Sequence, residues 1–346
     1  MRNLQALIRS GLANAADTSW LIPVLKKFSV AIPSGLLQRM QETKSSALQA
    51  QFVPNQAELN ILDTEVTDPI SDDKYAPLRG IVHRYPDRCL LTPIFTCPVY
   101  CRFCFRKEKI GKDKALSPAE LTACYAYIAS QPNIWEVILT GGDPLILAPQ
   151  QLAEIIRNLT AIAHVAIIRI HTRVPVVCPE KITAELLAAL QLHRPVYIAL
   201  HANHADEFSP EAEAAIARIV DAGLPMLSQS VLLTGVNDDE QVLAALMRKF
   251  VQNRIKPYYL HHPDMVQGTS HFRGSIAKGQ DLVAALRGNY SGLCQPTYVL
   301  DIPGGYGKSP LGKAYVRAVG DAAVEGDSRC EVYEVLDYHG DVHLYR

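Results

Sequence analysis

The stretch Arg88-Cys89-Leu-Leu-Thr-Pro-Ile-Phe95-Thr-Cys97-Pro-Val-Tyr-Cys101-Arg-Phe-Cys104 passes from a short apolar run into a loop holding three cysteines. Similar runs recur downstream, at 136–140, 166–171, 196–201, 226–233, 258–261 and 297–301. Each is strand-sized. Between them lie amphipathic stretches at 117–130, 150–160, 182–192, 210–222, 238–253 and 277–288, where apolar residues return at helical spacing. Strands alternating with helices predict parallel βαβ units, and six or so of them predict an α/β class protein, a full or partial (β/α)6 barrel. In such a barrel, chemistry sits at the C-terminal ends of the strands. Gly141–Asp143, His171 and Arg173, His201 and Asn203, Asn237 and Asp238, Asp264 and Asp301 all fall at such ends.

Upstream of the barrel pattern, Leu4, Leu7, Ile8 and Leu12 repeat at helix spacing, as do Leu36, Leu37 and Met40 after Pro33-Ser34. Residues 63–73 carry five acidic side chains, one proline and no helical period, which predicts a surface connection. With 346 residues, 48% of them hydrophobic, the chain is long enough for a sizeable core. A formal net charge of −1 marks neither a nucleic-acid nor a membrane partner. No apolar run reaches bilayer-spanning length, and the first residues lack a signal-peptide pattern, so a cytoplasmic protein is expected. The eight cysteines are clustered rather than evenly dispersed, which argues against a disulfide framework and for one metal site.

Cys97, Cys101 and Cys104 can bind three corners of a [4Fe–4S] cluster and leave one iron open, as a catalytic metal requires. A zinc site completed by His83 or by a distant cysteine is the competing reading. At the next strand end, Thr140-Gly141-Gly142-Asp143-Pro144 combines glycines that let backbone approach a ligand with a carboxylate that can accept from an ammonium; taken alone, it is also a plausible turn. Near the end of the chain, Asp301-Ile-Pro-Gly304-Gly305-Tyr-Gly307-Lys308-Ser-Pro310 makes a tight loop after an apolar strand. A lysine held there can form a Schiff base with an aldehyde cofactor, although a solvated surface lysine is the plainer reading.

CxxxCxxC with an aromatic before the last cysteine resembles the radical S-adenosylmethionine enzymes. CxxxCRxCxR, HRYPDR, GGDPL and PGGxGKxP together resemble the lysine 2,3-aminomutase family, from about residue 50 to about residue 315. The resemblance implies a partial TIM-like barrel at 79–292, an N-terminal helical extension at 1–78 and a short pyridoxal-phosphate-binding segment at 293–346. It implies three cofactors: the cluster on Cys97, Cys101 and Cys104, S-adenosylmethionine, and pyridoxal 5′-phosphate. Phe103 should pack near the adenine, and Gly141, Gly142 and Asp143 should meet the methionyl amino group. Lys308 should carry pyridoxal phosphate, with Arg84 and Arg88 near its phosphate. Arg106 should hold the substrate carboxylate, and Asp264 and Asp301 the ε-ammonium of lysine.

The activity so implied is interconversion of α-lysine and β-lysine by radical amino migration. The expected partners are free lysine and a reducing donor such as flavodoxin or ferredoxin, and a homo-oligomer is expected. Two acidic groups for the far end of the substrate favour a basic amino acid over glutamate. Three alternatives stand beside this: supply of β-lysine for modifying elongation factor P, the same chemistry on another basic amino acid, and a non-catalytic iron–sulfur protein. The tail holds one cysteine, Cys330, and Ile216 stands where relatives with a zinc site have a ligand, so no structural zinc is expected.

Overall fold

The computed structural model describes residues 3–191, 194–324 and 328–345. Nine strands form one sheet in strictly sequential order: β1 (Ile81–Tyr85), β2 (Arg88–Ile94), β3 (Glu136–Gly141), β4 (Ile167–Thr172), β5 (Val196–His201), β6 (Met226–Val231), β7 (Ile255–His261), β8 (Thr297–Asp301) and β9 (Lys308–Pro310). Strands β2 to β8 are all parallel, while β1 and β9 pair antiparallel at the two edges. The sheet curls into a partial barrel, as the alternating pattern predicts. The gap between its edges is narrowed by a side chain: the Tyr85 hydroxyl accepts a hydrogen bond from the Lys308 N–H at 2.9 Å.

Four helices precede the sheet: α1 (Leu4–Arg9), α2 (Thr18–Lys27), α3 (Ser34–Thr43) and α4 (Ser46–Phe52). Helices α5 (Pro118–Ala129), α6 (Pro149–Thr160), α7 (Val174–Val177), α8 (Ala184–Leu190), α9 (Pro210–Asp221), α10 (Glu240–Gln252) and α11 (Ile276–Asn289) lie between the parallel strands. All six predicted helical stretches coincide with one of these to within a few residues; the end of the 182–192 stretch, residue 192, lies outside the described residues. Local chemistry sets several starts. In α5, Ser117 accepts from the Glu120 N–H, Glu120 accepts in return from the Ser117 N–H, and Pro118 opens the first turn. The inward faces of the helices bury apolar rows such as Leu152, Ile155, Ile156 and Leu159 against the strands, which excludes water from the layer between them.

Three features depart from the sequence reading. Strands β1 and β9 have no apolar alternation and were not expected. A second, antiparallel sheet of β10 (Val316–Val324), β11 (Ser328–Leu336) and β12 (Val342–Tyr345) closes the chain. The side chain of Cys330 lies outside the described residues. Finally, residues 63–73 are not a surface connection throughout. Glu65, Ile70 and Asp72 are buried, because the segment threads beneath the Lys308 loop and its acids meet arginines there. No helix among the described residues is long and apolar enough to cross a membrane.

Candidate active site

The cysteine loop leaves β2 at the C-terminal end of the barrel and is anchored from two sides by the N-terminal helices. Tyr100 N–H donates to the Ala31 carbonyl at 2.9 Å and Arg102 N–H to the Gln51 carbonyl at 2.8 Å. The Arg102 side chain is fully buried. It donates to both carboxylate oxygens of Glu58, at 2.8 and 2.6 Å, while Lys107 approaches the same carboxylate at 3.3 Å. Three ionised groups out of water hold only because each is paired. This triad fixes the loop on both sides of Cys104.

The three candidate cluster ligands are free thiols. Arg173 Nη1 donates to the sulfur of Cys101 at 3.5 Å. Burial pushes all three thiols up as thiols. A cationic donor aimed at sulfur suits a thiolate that carries a metal cluster. The His83 ring that could have completed a zinc site is engaged elsewhere, with Nδ1 2.8 Å from the Tyr127 hydroxyl. Among the described residues no three His, Cys, Asp or Glu side chains gather around a single metal ion. A cluster, whose corners lie apart, fits the three thiols better than one ion does.

Arg173 is the hub behind Cys101. Its Nη2 donates to Gln51 Oε1 and Glu207 Oε2, both at 2.6 Å, and Asn203 joins through its own bonds to Gln51 and Glu207. Phe103 lies edge-on to Phe272, with ring centroids 6.1 Å apart, and its face lies beside Arg173.

The GGDP turn is braced through its aspartate. The Asp143 carboxylate is buried and accepts from Thr172 Oγ1 at 2.8 Å and from the N–H groups of Arg173, Val174 and Leu145 at 2.7, 3.2 and 3.1 Å. These donors make the side chain a staple between β3 and β4. Gly142 has its own reason: a Cβ there would lie 2.4 Å from the Thr96 carbonyl oxygen. The residue must be glycine for the turn to pack on the cysteine loop.

Across the barrel mouth, Lys308 donates to both oxygens of Asp301 at 2.5 and 2.7 Å. Asp301 Oδ2 lies 3.2 Å from His261 Nδ1. Burial works against ionisation of Asp301, but the His261 hydrogen bond and the Lys308 ammonium outweigh it and hold the carboxyl well below its usual range. Burial lowers His261, so the ring is neutral with its proton on Nδ1, and Nε2 is a buried acceptor without a partner. His171 Nε2 is likewise buried without a partner. Such atoms cost about 1–3 kcal/mol each if nothing donates to them, which marks space for a polar ligand.

Asp264 lies past the end of β7. Burial pushes its carboxyl up to about 7, Asp301 adds to the push, and Lys308 and Arg106 pull against it. It is a carboxylate waiting for a cation. Arg106 donates to Asp72 Oδ2 from Nε at 3.0 Å and Nη2 at 2.7 Å, and Arg84 Nη2 donates to Asp72 Oδ1 at 3.0 Å. Arg84 Nε is buried without a partner. Arg88 stacks on the Tyr85 ring, 3.9 Å from its centroid, below the hydroxyl that meets Lys308. Gly304, Gly305 and Gly307 all have positive φ. A Cβ on Gly305 would lie 2.4 Å from the Tyr75 ring, so the lysine loop seats on residues 70–75 only as glycine. Lysine, unused arginine donors and a glycine cradle fit a phosphate-bearing aldehyde. Asp72, Glu58, His261 and Tyr85 were missed by sequence reasoning, and Arg173 was singled out only as a strand-end residue, without a role. Only Tyr85 had a local signal, as the centre of HRYPDR.

The radical SAM superfamily matches residues 91–247, from β2 into α10. Barrel and cysteine loop thus define a radical S-adenosylmethionine enzyme class. The L-lysine 2,3-aminomutase of Acetoanaerobium sticklandii is 41% identical over 276 residues, covering 80% of this chain and 67% of that protein. That of Buchnera aphidicola subsp. Baizongia pistaciae is 35% identical over 285 residues, 82% of this chain and 84% of that one. The chain belongs to the lysine 2,3-aminomutase family. The family works with a [4Fe–4S] cluster, S-adenosylmethionine and pyridoxal phosphate. The chain spans about two thirds of the length of the first curated relatives it matches. The glutamate 2,3-aminomutase of Clostridioides difficile is 37% identical over 269 residues, 78% of this chain and 64% of that one. Overall identity therefore does not choose between lysine and glutamate.

Proposed function

We propose that the chain is an L-lysine 2,3-aminomutase that interconverts α-lysine and β-lysine. The observation that carries the reading is the pair Asp264 and Asp301 facing the ammonium of Lys308, with Arg106 acting on the same pocket. When bound, the cluster with S-adenosylmethionine supplies a carbon radical that takes hydrogen from the substrate, and pyridoxal phosphate supplies the aldehyde that holds the migrating nitrogen. Cys97, Cys101 and Cys104 hold the cluster, Phe103 lies along the adenine, and Gly141 and Gly142 shape that end of the site. Lys308 carries the aldehyde cofactor, with Arg84 and Arg88 at its phosphate. Arginine suits both anions because its fork donates two parallel bonds.

The substrate carboxylate goes to Arg106 and its ε-ammonium to Asp264 and Asp301. A lysine ammonium entering this pocket replaces the charge of Lys308, which can then leave Asp301 without stranding it. A glutamate would instead bring a second carboxylate beside two others, a cost of several kcal/mol when desolvated. A reducing redox protein is the partner this chemistry needs, and the seven described cysteines, all free, agree with a reducing environment. The test is anaerobic incubation of the cluster-loaded protein with S-adenosylmethionine, pyridoxal phosphate, dithionite and L-lysine. β-Lysine is the expected product. Unchanged lysine from a preparation with full cluster and a cofactor-modified Lys308 refutes the reading.

A further inference from the structure

We infer that Asp72 is a positioning residue that sets the phosphate arginine and the carboxylate arginine against each other, coupling cofactor and substrate. The inference rests on the roles proposed above for Arg84 and Arg106. Asp72 is buried, with its side chain 7% exposed, and it divides its two oxygens: Oδ1 accepts from Arg84 and Oδ2 from Arg106. The two arginines come from different places, β1 and the loop after Cys104. Nothing else that both of them bond is described.

The segment carrying Asp72 is itself held. Both oxygens of Asp68 accept from the chain at Asp72 and Asp73, each at 2.9 Å. Arg84 Nη2 also donates to the Ile70 carbonyl at 2.6 Å, and that carbonyl lies under Gly305 of the lysine loop. One short segment therefore touches the cofactor lysine loop, the phosphate arginine and the carboxylate arginine.

The charges suit a coupling device. Two guanidinium groups with no counterion would repel each other and invite one anion to bridge them. A single carboxylate between them holds the forks apart, and Arg84 keeps Nε free. Net positive charge remains for a phosphate on one side and a carboxylate on the other. Asparagine at this position keeps the volume but only one acceptor oxygen, so its NH2 must face one guanidinium. A lost charge-assisted bond of about 1.5–3 kcal/mol corresponds to roughly ten- to a hundred-fold in affinity.

The test uses the cluster-loaded full chain with Asp72→Asn and, as a charge-preserving control, Asp72→Glu. Pyridoxal phosphate affinity is read from the visible absorbance of the Lys308 adduct, and kcat and KM are compared for L-lysine and L-lysinamide, which lacks the carboxylate. In Asp72→Asn, cofactor Kd and lysine KM should each rise about tenfold or more, with kcat changed less, and the preference for lysine over lysinamide should shrink by a similar factor. Asp72→Glu should lie between parent and Asp72→Asn. A parental cofactor Kd and parental lysine KM overturn the inference. So does an unchanged lysine-to-lysinamide preference in either variant that assembles its cluster, because a merely structural role lowers both substrates alike. If the parent itself converts no lysine, the functional reading fails separately, and the cofactor titration still judges the Arg84 half of the coupling.

Discussion

Replacing Asp264 by asparagine isolates one of the two groups to which the proposed function assigns substrate choice. Unlike Asp301, it makes no hydrogen bond to Lys308, so its loss leaves the cofactor lysine in place. Its carboxyl is pushed up to about 7 by burial and by Asp301, so in the free enzyme it is half protonated near neutrality. Only the ionised form compensates a substrate ammonium. The sign follows: as pH falls through about 7 the carboxyl takes a proton, and kcat/KM for lysine falls, approaching tenfold per pH unit below that point. Above it the limb is flat until other groups titrate.

Asp264→Asn removes the titrating group and one charge-assisted bond of about 1.5–3 kcal/mol, so kcat/KM for lysine should drop roughly ten- to a hundred-fold at alkaline pH. The acid limb near 7 should vanish with it. The assay is initial-rate formation of β-lysine across pH, with norleucine as the control lacking the ε-amine. Norleucine should be a poor substrate for the parent and lose little on mutation. If the variant keeps both parental kcat/KM for lysine and the parental acid limb, Asp264 does not hold the ammonium.

Other residues give sharper single readouts. Lys308→Ala should abolish the borohydride-fixed cofactor adduct while cluster content stays normal; an adduct mapped by peptide mass to another lysine would move the cofactor site. Glu58→Gln should leave Arg102 and Lys107 buried without their counterion and cost about 3–5 kcal/mol in denaturant unfolding. An unchanged unfolding midpoint there would show the triad is not what holds the cysteine loop. Arg173→Lys should remove the N–H to the Cys101 sulfur and shift the cluster midpoint to more negative potential, measured by redox titration; a midpoint equal to the parent's contradicts that contact.

The barrel was legible because it is written in periodicity. The apolar row of α6 and the short buried runs of β3 to β5 repeat at helix and strand spacing, and burial is what periodicity reports. Strand β1, Ile-Val-His-Arg-Tyr, is half-buried at every residue after Ile81 and carries charge, so it shows no alternation. Strand β9 is three residues long, and the strand β12 is exposed along its length. The ligands quoted from motifs were legible as side chains but not as networks. Asp72 sits in an acidic run that composition reads as solvated, while its arginines lie 12 and 34 residues away with no spacing rule to connect them. Asp143 looked like a free acceptor because its donors are backbone groups of a loop that only folding brings near. His261 gained its partner through β7 and β8 lying side by side.

Side-by-side turnover of L-lysine and L-glutamate by one anaerobic, cluster-loaded preparation tests the central claim most directly, since this chain resembles both a lysine and a glutamate 2,3-aminomutase and the proposed substrate site relies on Asp264 and Asp301. The account predicts β-lysine from lysine and no detectable β-glutamate. Turnover of glutamate at a kcat/KM equal to or above that for lysine would contradict it.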